Sequence, residues 1–217
     1  MLYEKDGRII HHIHIPKCGG TSIRALLREN GWNITENRIP PQLQNEVCGF
    51  DKTHHAHRNV WMSWGANPEF QFATVRNPYS KFDSKMRQIA NEAIRDSGGD
   101  MSKYEGMTLA PEVKSVRISL IKKVVDFGDL NNHFRRQVDF LGPETFVYKL
   151  EDGMQPVLED LVNREIISAD SKIKKLNAKK YLDVKVPWEL PEYQELHEVF
   201  KNIYQQDFKL FEYEMRN

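Results

Sequence analysis

Residues 8–22, Arg-Ile-Ile-His-His-Ile-His-Ile-Pro-Lys-Cys-Gly-Gly-Thr-Ser, constrain the fold more than any other stretch of this chain. The Ile/His run from Arg8 to Ile15 reads as a strand that ends at Pro16. Lys17 to Gly20 read as a short glycine loop. From Thr21 to about Asn30, apolar residues at Ile23, Leu26 and Leu27 give a helix that Gly31 stops. A strand that runs through a glycine turn straight into a helix is the first part of a crossover, and crossovers of this kind join parallel strands.

The same design recurs. A strand-like run from Glu69 to Val75 leads into Arg76-Asn77-Pro78, where proline holds Asn77 extended and suits the first turn of a new helix. In that helix Tyr79, Phe82, Met86, Ile89, Ala90 and Ala93 share one face, with Ser80 and Ser84 opposite, and Gly98-Gly99 ends it. An amphipathic stretch follows from Val113 to Phe127, then a buried strand from Thr145 to Leu150 and a helix from about Gln155 to Arg164. A last helix runs from about Pro191 to Gln206. Strands separated by helices predict a three-layer α/β class, a central parallel β-sheet flanked by helices. Without repeats or a linker-like tract, residues 1–217 are expected to form a single domain.

Composition removes several functions. Thirty-one Lys and Arg balance 31 Asp and Glu, which argues against nucleic acid as a partner through bulk charge. No apolar run reaches the roughly 20 residues of a membrane span. Glu4, Lys5, Asp6 and Arg8 sit where an export signal needs apolar residues, so a soluble, cytoplasmic protein is expected. Two cysteines, Cys18 and Cys48, are too few for a disulfide framework.

In parallel α/β sheets, ligands gather beyond the carboxyl ends of the strands. At the first such end, Gly19 and Gly20 let backbone N–H groups turn inward, and the helix that follows adds partial positive charge. Lys17 adds a full charge, and Thr21 and Ser22 add hydroxyls: an anion cradle. It is not a Walker A loop, because the lysine precedes the glycines. A tight turn capped by Thr21 or Ser22 would use the same residues. At the second end, Arg76 can clamp a phosphate with its guanidinium, and Ser84 lies eight residues on. Two anion sites suit a ligand with phosphates at both ends.

Lys17-Cys18-Gly19-Gly20-Thr21-Ser22 resembles the 5′-phosphosulfate loop of sulfotransferases, and Arg76 with Ser84 is similar to their 3′-phosphate pair. The likeness is to the carbohydrate type, the group containing the heparan sulfate 2-O-sulfotransferases and their soluble bacterial relatives. It extends through Gln137-Val138-Asp139-Phe140-Leu141, Val147-Tyr148-Lys149-Leu150-Glu151, Asn177 and Tyr204-Gln205-Gln206-Asp207-Phe208, nearly the whole chain. Cys18 stands where the family has threonine, and Lys81 where it has a second arginine. The resemblance implies a P-loop-like fold and 3′-phosphoadenosine 5′-phosphosulfate (PAPS) as donor, with the bisphosphate PAP as product and no metal required. It assigns Lys17 to charge stabilisation and Lys17, Cys18, Gly19, Gly20, Thr21 and Ser22 to the 5′-phosphate. Arg76 and Ser84 go to the 3′-phosphate, and Asn177 to a loop closing over the nucleotide. The acceptor it implies is a hydroxyl, of a carbohydrate or similar molecule.

A hydroxyl needs a base before it attacks, and histidine suits that task near neutral pH. His54, His55 and His57 precede the Arg76 strand, in the region where the resembling family carries its base. Spacing from Arg76 favours His55, and the H-x-H pattern keeps His57 open. Glu112, Glu144 and Glu151 are alternative bases. His11, His12 and His14 could join these histidines on a metal, but a strand pair without a third ligand is a weak zinc signal. Lys103, Tyr104, Lys114, Arg117, Lys122, Lys123 and the lysines from Lys172 to Lys180 could bind an anionic sugar or be ordinary solvated faces. Trp61, Trp64 and Trp188 could stack on sugar rings or fill the core. The competing functions are a P-loop-like nucleotide kinase, disfavoured by the missing Walker A loop, and a non-catalytic nucleotide- or glycan-binding module.

Overall fold

A computed structural model describes residues 1–35, 55–56, 58–62, 65–114, 116, 132–174 and 182–216. Their elements are, in chain order, β1 (Leu2–Lys5), β2 (Arg8–Ile13), α1 (Gly20–Glu29), β3 (Asn33–Ile34), α2 (Arg58–Met62), β4 (Phe70–Val75) and α3 (Pro78–Asp96). After these come β5 (Thr108–Leu109), β6 (Phe146–Lys149), α4 (Gln155–Asn163), β7 (Asp183–Val184) and α5 (Gln194–Leu210). They fall into two compact units: Met1–Arg76 with Phe127–Leu176, and Asn77–Asp126 with Asn177–Asn217.

The first unit holds a five-stranded sheet in the order β3-β1-β2-β4-β6. β2, β4 and β6 run parallel, in register Ile10↔Phe70 and Phe72↔Phe146. Side chains alternate across the strands. On one face Tyr3, Ile10, Phe70 and Phe72 pack with Ile23, Leu26 and Leu27 of α1 and Val157 and Leu161 of α4. On the other, the His11 ring meets Trp61 of α2 edge-on at 5.0 Å. Helices thus lie on both faces of a mixed sheet.

The expected all-parallel sheet needs correction at its start. β1 pairs antiparallel with β2, and β3 antiparallel with β1. The cause is the two-residue turn Asp6-Gly7, with φ of 50° and 77°, the left-handed pair that a tight hairpin demands. A second correction concerns β6. It stands at the sheet edge, so Phe146 is 48% and Val147 39% exposed rather than buried, and the Arg164 guanidinium lies 4.6 Å over the Phe146 ring. The strand expected to end at Ile15 ends at Ile13, where pairing with β4 stops. Of the stretch expected to be amphipathic from Val113 to Phe127, most lies outside the described residues.

The second unit is built on α3. Asn77 caps it by accepting the Tyr79 N–H on its side-chain oxygen at 3.0 Å, with Pro78 in the first turn. Its apolar face meets aromatic residues of α5 and the segment before it: Tyr79 stacks on Phe200 at 5.0 Å, and Phe82 meets Trp188 at 5.7 Å. Tyr79 and Phe82 are buried as the periodicity predicts, whereas Ala93 is exposed and Lys81 and Lys85 are buried instead. The last helix is shifted from its expected limits. Pro191–Tyr193 form a separate 3-10 turn, and α5 runs on to Leu210.

Candidate functional site

Beyond the end of β2 the chain makes the expected glycine loop, and its backbone shows why glycine is needed. Lys17 takes φ 67° and Gly19 φ 83°, both left-handed, and α1 begins at Gly20. A Cβ on Gly20 would lie 2.1 Å from Cδ2 of the His14 ring, so only glycine lets that imidazole lie against the loop. At Gly19 a Cβ would meet only the flexible end of Met154, Cε at 2.6 Å, and it is the left-handed φ that calls for glycine there. The N-terminus of α1 has no side-chain cap and no acidic residue in its first turn, which leaves its positive end uncompensated.

The loop is tied to the end of β4. The Thr74 hydroxyl donates to the Cys18 carbonyl oxygen, and Arg76 Nη1 donates to the Lys17 carbonyl oxygen at 3.4 Å. Lys17 and Arg76, expected from sequence to face a common ligand, are therefore brought together at the carboxyl ends of β2 and β4. Cys18 is fully buried. Its Sγ lies 3.5 Å from the Pro16 carbonyl oxygen and 3.2 Å from Gln137 Oε1, so the thiol is engaged within the protein. Ser22 is buried and Thr21 half-buried in the first turns of α1.

His55 lies beside this loop. Its Nδ1 is 3.1 Å from the His14 carbonyl oxygen, and its ring meets those of His14 at 4.7 Å and His133 at 5.0 Å. Asn132 holds it from the other side, donating its side-chain N–H to the His55 carbonyl at 2.9 Å. His54, His57 and Asn177 lie outside the described residues. Ser84 is half-buried on α3, in the second unit.

Other candidates are accounted for by packing. His12 is wholly buried, stacked between Phe72 at 5.0 Å and His14 at 5.5 Å, and neither of its ring nitrogens has a hydrogen-bond partner. Burial pushes its pKa, like that of His11, well below the usual histidine value, so both are neutral. His11 shares its Nδ1 with Gln71 Oε1 at 3.0 Å. Among the described residues no three His, Cys, Asp or Glu side chains stand together as a metal-holding group. Trp188 is buried in the aromatic core, and Trp61 is half-buried with its indole N–H donated to the Phe140 carbonyl at 2.8 Å. Trp64 is outside the described residues. Glu112, Glu144 and Glu151 are exposed. Lys174 pairs with Glu29 at 2.9 Å, while Lys175, Lys179, Lys180, Arg117, Lys122 and Lys123 are outside the described residues.

Four participants were not foreseen as parts of the site: Thr74, Asn132, His133 and Gln137. Thr74 carries a usable signal, a lone hydroxyl in the apolar strand end Phe72-Ala73-Thr74-Val75. Asn132, His133 and Gln137 carry none, because their roles depend on contacts across 77, 78 and 61 residues of sequence, the first two to His55 and the last to Arg76.

Among the described residues no helix is long and apolar enough to cross a membrane. No curated protein and no solved structure gives a significant match to the chain. A family model does: the one described as "Sulfotransferase family" matches residues 3–214. That span takes in the glycine loop, the Arg76 strand end and the histidines beside them, so the chain belongs to the sulfotransferase family.

Proposed function

We propose that the protein transfers a sulfuryl group from PAPS to a hydroxyl of a carbohydrate or similar acceptor. The observation that carries this reading is the meeting of the Arg76 guanidinium with the backbone of the lysine-bearing glycine loop at adjacent strand ends, with Arg76 Nη1 3.4 Å from the Lys17 carbonyl oxygen. A donor phosphorylated at both its 5′ and 3′ positions has the charge for such a pair.

The residues fit that donor. The close approach of His14 to Gly20, the left-handed Lys17 and Gly19, and the uncapped start of α1 make a strained loop next to a positive helix end, which suits an anion. When bound, PAPS would supply the activated sulfuryl group. N–H groups from Gly19 to Ser22 would hold the 5′-phosphate and Arg76 the 3′-phosphate. Lys17 would stabilise the negative charge that grows on the leaving phosphate, as cations do in phosphoryl transfer. His55 would take the acceptor's proton on Nε2, since its Nδ1 faces a carbonyl that can only accept. The carbohydrate acceptor rests on the sequence resemblance.

The test is calorimetric titration of the full chain with PAP, with 5′-AMP and ATP plus magnesium as comparators. Tight binding of PAP with weak binding of AMP is the expected result and opens an acceptor screen with PAPS. Preference for ATP with magnesium would overturn the reading.

A further inference from the structure

Gln137 has a fully buried side chain at the start of a 3-10 turn, Gln137–Phe140. Its carboxamide oxygen accepts the Arg76 N–H at 2.8 Å, and its amide nitrogen donates to the Arg76 carbonyl at 2.7 Å. A neighbouring strand would make the same pair of bonds. The place matters: β4 is paired with β2 up to Ala73 and with β6 up to Val75, so Arg76 is the first residue past both ladders. The side chain thus continues the sheet by one residue on the peptide that carries the Arg76 guanidinium. The same oxygen also accepts the Cys18 thiol at 3.2 Å, and Cys18 lies between Lys17 and Gly19 in the glycine loop.

One carboxamide therefore grips both strand ends. We propose that Gln137 is a positioning residue that sets the spacing between the Lys17–Gly20 loop and Arg76. By that spacing it sets the preference for a nucleotide phosphorylated at both 5′ and 3′ positions over one with a 5′-phosphate alone. The inference deepens the function proposed above and rests on it. Gln137 acts through other residues, by holding Arg76 and Cys18. Both partners must be held at once, because a ligand that spans two anchors binds well only when their separation is fixed beforehand.

The test is titration of PAP and of 5′-AMP into the full chain, wild type and two variants, Gln137→Met and Gln137→Asn, with thermal denaturation of each. Methionine keeps the volume and removes both hydrogen-bonding ends; asparagine keeps the amide but falls one methylene short, so a folded variant is available if the apolar one fails. The expected result is a PAP-to-AMP affinity ratio lowered by about tenfold or more in either variant, because a misplaced guanidinium loses its charge-assisted contact while the 5′ loop keeps its own. A purely structural role would lower the melting temperature and weaken both ligands alike. An unchanged ratio in a folded variant overturns the role of Gln137 and leaves the proposed function standing. Failure of the wild type to prefer PAP would overturn both.

Discussion

The Nδ1 atom of His55 lies 3.1 Å from the backbone carbonyl oxygen of His14. A carbonyl offers no proton, so Nδ1 must carry one and the neutral ring keeps its lone pair on Nε2. That is the tautomer a base needs. The carbonyl belongs to the residue whose ring packs on Gly20, so His55 and the glycine loop share one support.

Replacing His55 by alanine is expected to lower turnover by about 100-fold or more, the usual weight of a general base. PAP affinity should stay near the wild-type value, because no 5′- or 3′-phosphate contact is assigned to this ring. Steady-state kinetics beside calorimetry would check it. A fully active variant would move the role to His54 or His57.

Lys17→Ala should separate turnover from binding. If the ammonium acts on charge that develops on the leaving phosphate, its loss lowers turnover by about 100- to 1,000-fold and weakens PAP much less. Equal losses in the two measurements would remove its catalytic role.

For Arg76 the discriminating measurement is the choice of ligand. Arg76→Ala should weaken PAP by about 10- to 100-fold, as losing a hydrogen bond to a charged group does. Binding of 5′-AMP should change little. Equal effects on both would refute the assignment of Arg76 to the 3′-phosphate.

Local chemistry made much of this architecture legible before any coordinates. Gly31, at φ 84°, follows the end of α1 and Pro78 opens α3, and β2, α1, β4 and α3 fall within two residues of their expected limits. β1 goes unread because Glu4 and Lys5 register only as charges where an export signal needs apolar residues. The Asp6-Gly7 turn that folds them back on Arg8 and Ile9 was the better signal. β6 was misjudged because periodicity cannot say which strand ends a sheet. Within the site, the loop and Arg76 could be read because their chemistry is local. Gln137, Asn132 and His133 could not, since what they do depends on which distant backbone group each one meets.

Gly20→Ala tests the support beneath His14. The new Cβ would lie 2.1 Å from one ring atom and 2.3 Å from another, so the imidazole must move. Thermal denaturation should show a loss of about 1–3 kcal/mol, the usual cost of overpacking. Catalysis should fall as well, through the displaced His14 carbonyl. Gly153→Ala is the control: its φ is 82°, yet a Cβ there meets nothing within 4 Å. Only backbone strain of about 1–3 kcal/mol is then expected, because φ 82° with ψ −172° is a conformation that essentially only glycine adopts, and catalysis should be unchanged. An unimpaired Gly20→Ala protein would show that the loop tolerates a side chain.

Asp83 gives the second unit a pH dependence of its own. Burial pushes its carboxyl up from 3.8 to about 6, against the opposing hydrogen bond it accepts from the Val186 N–H at 3.0 Å. Between the two values the native state holds the proton more tightly than the unfolded chain. Stability from this group therefore rises as pH falls through about 6 and levels off below about 4. Asp83→Asn keeps an oxygen to accept from Val186 and removes the titration. The variant should melt above the wild type at pH 7, and the gap should narrow as the pH falls through about 6 and close only below about 4, as the carboxyl of the unfolded wild-type chain becomes protonated too. Melting curves at half-unit pH steps would show it. A constant gap would mean that burial is cancelled by the attraction of Arg87 and Arg216, and a gap that widened on acidification would mean that those cations stabilise the carboxyl as an anion; in either case burial does not dominate.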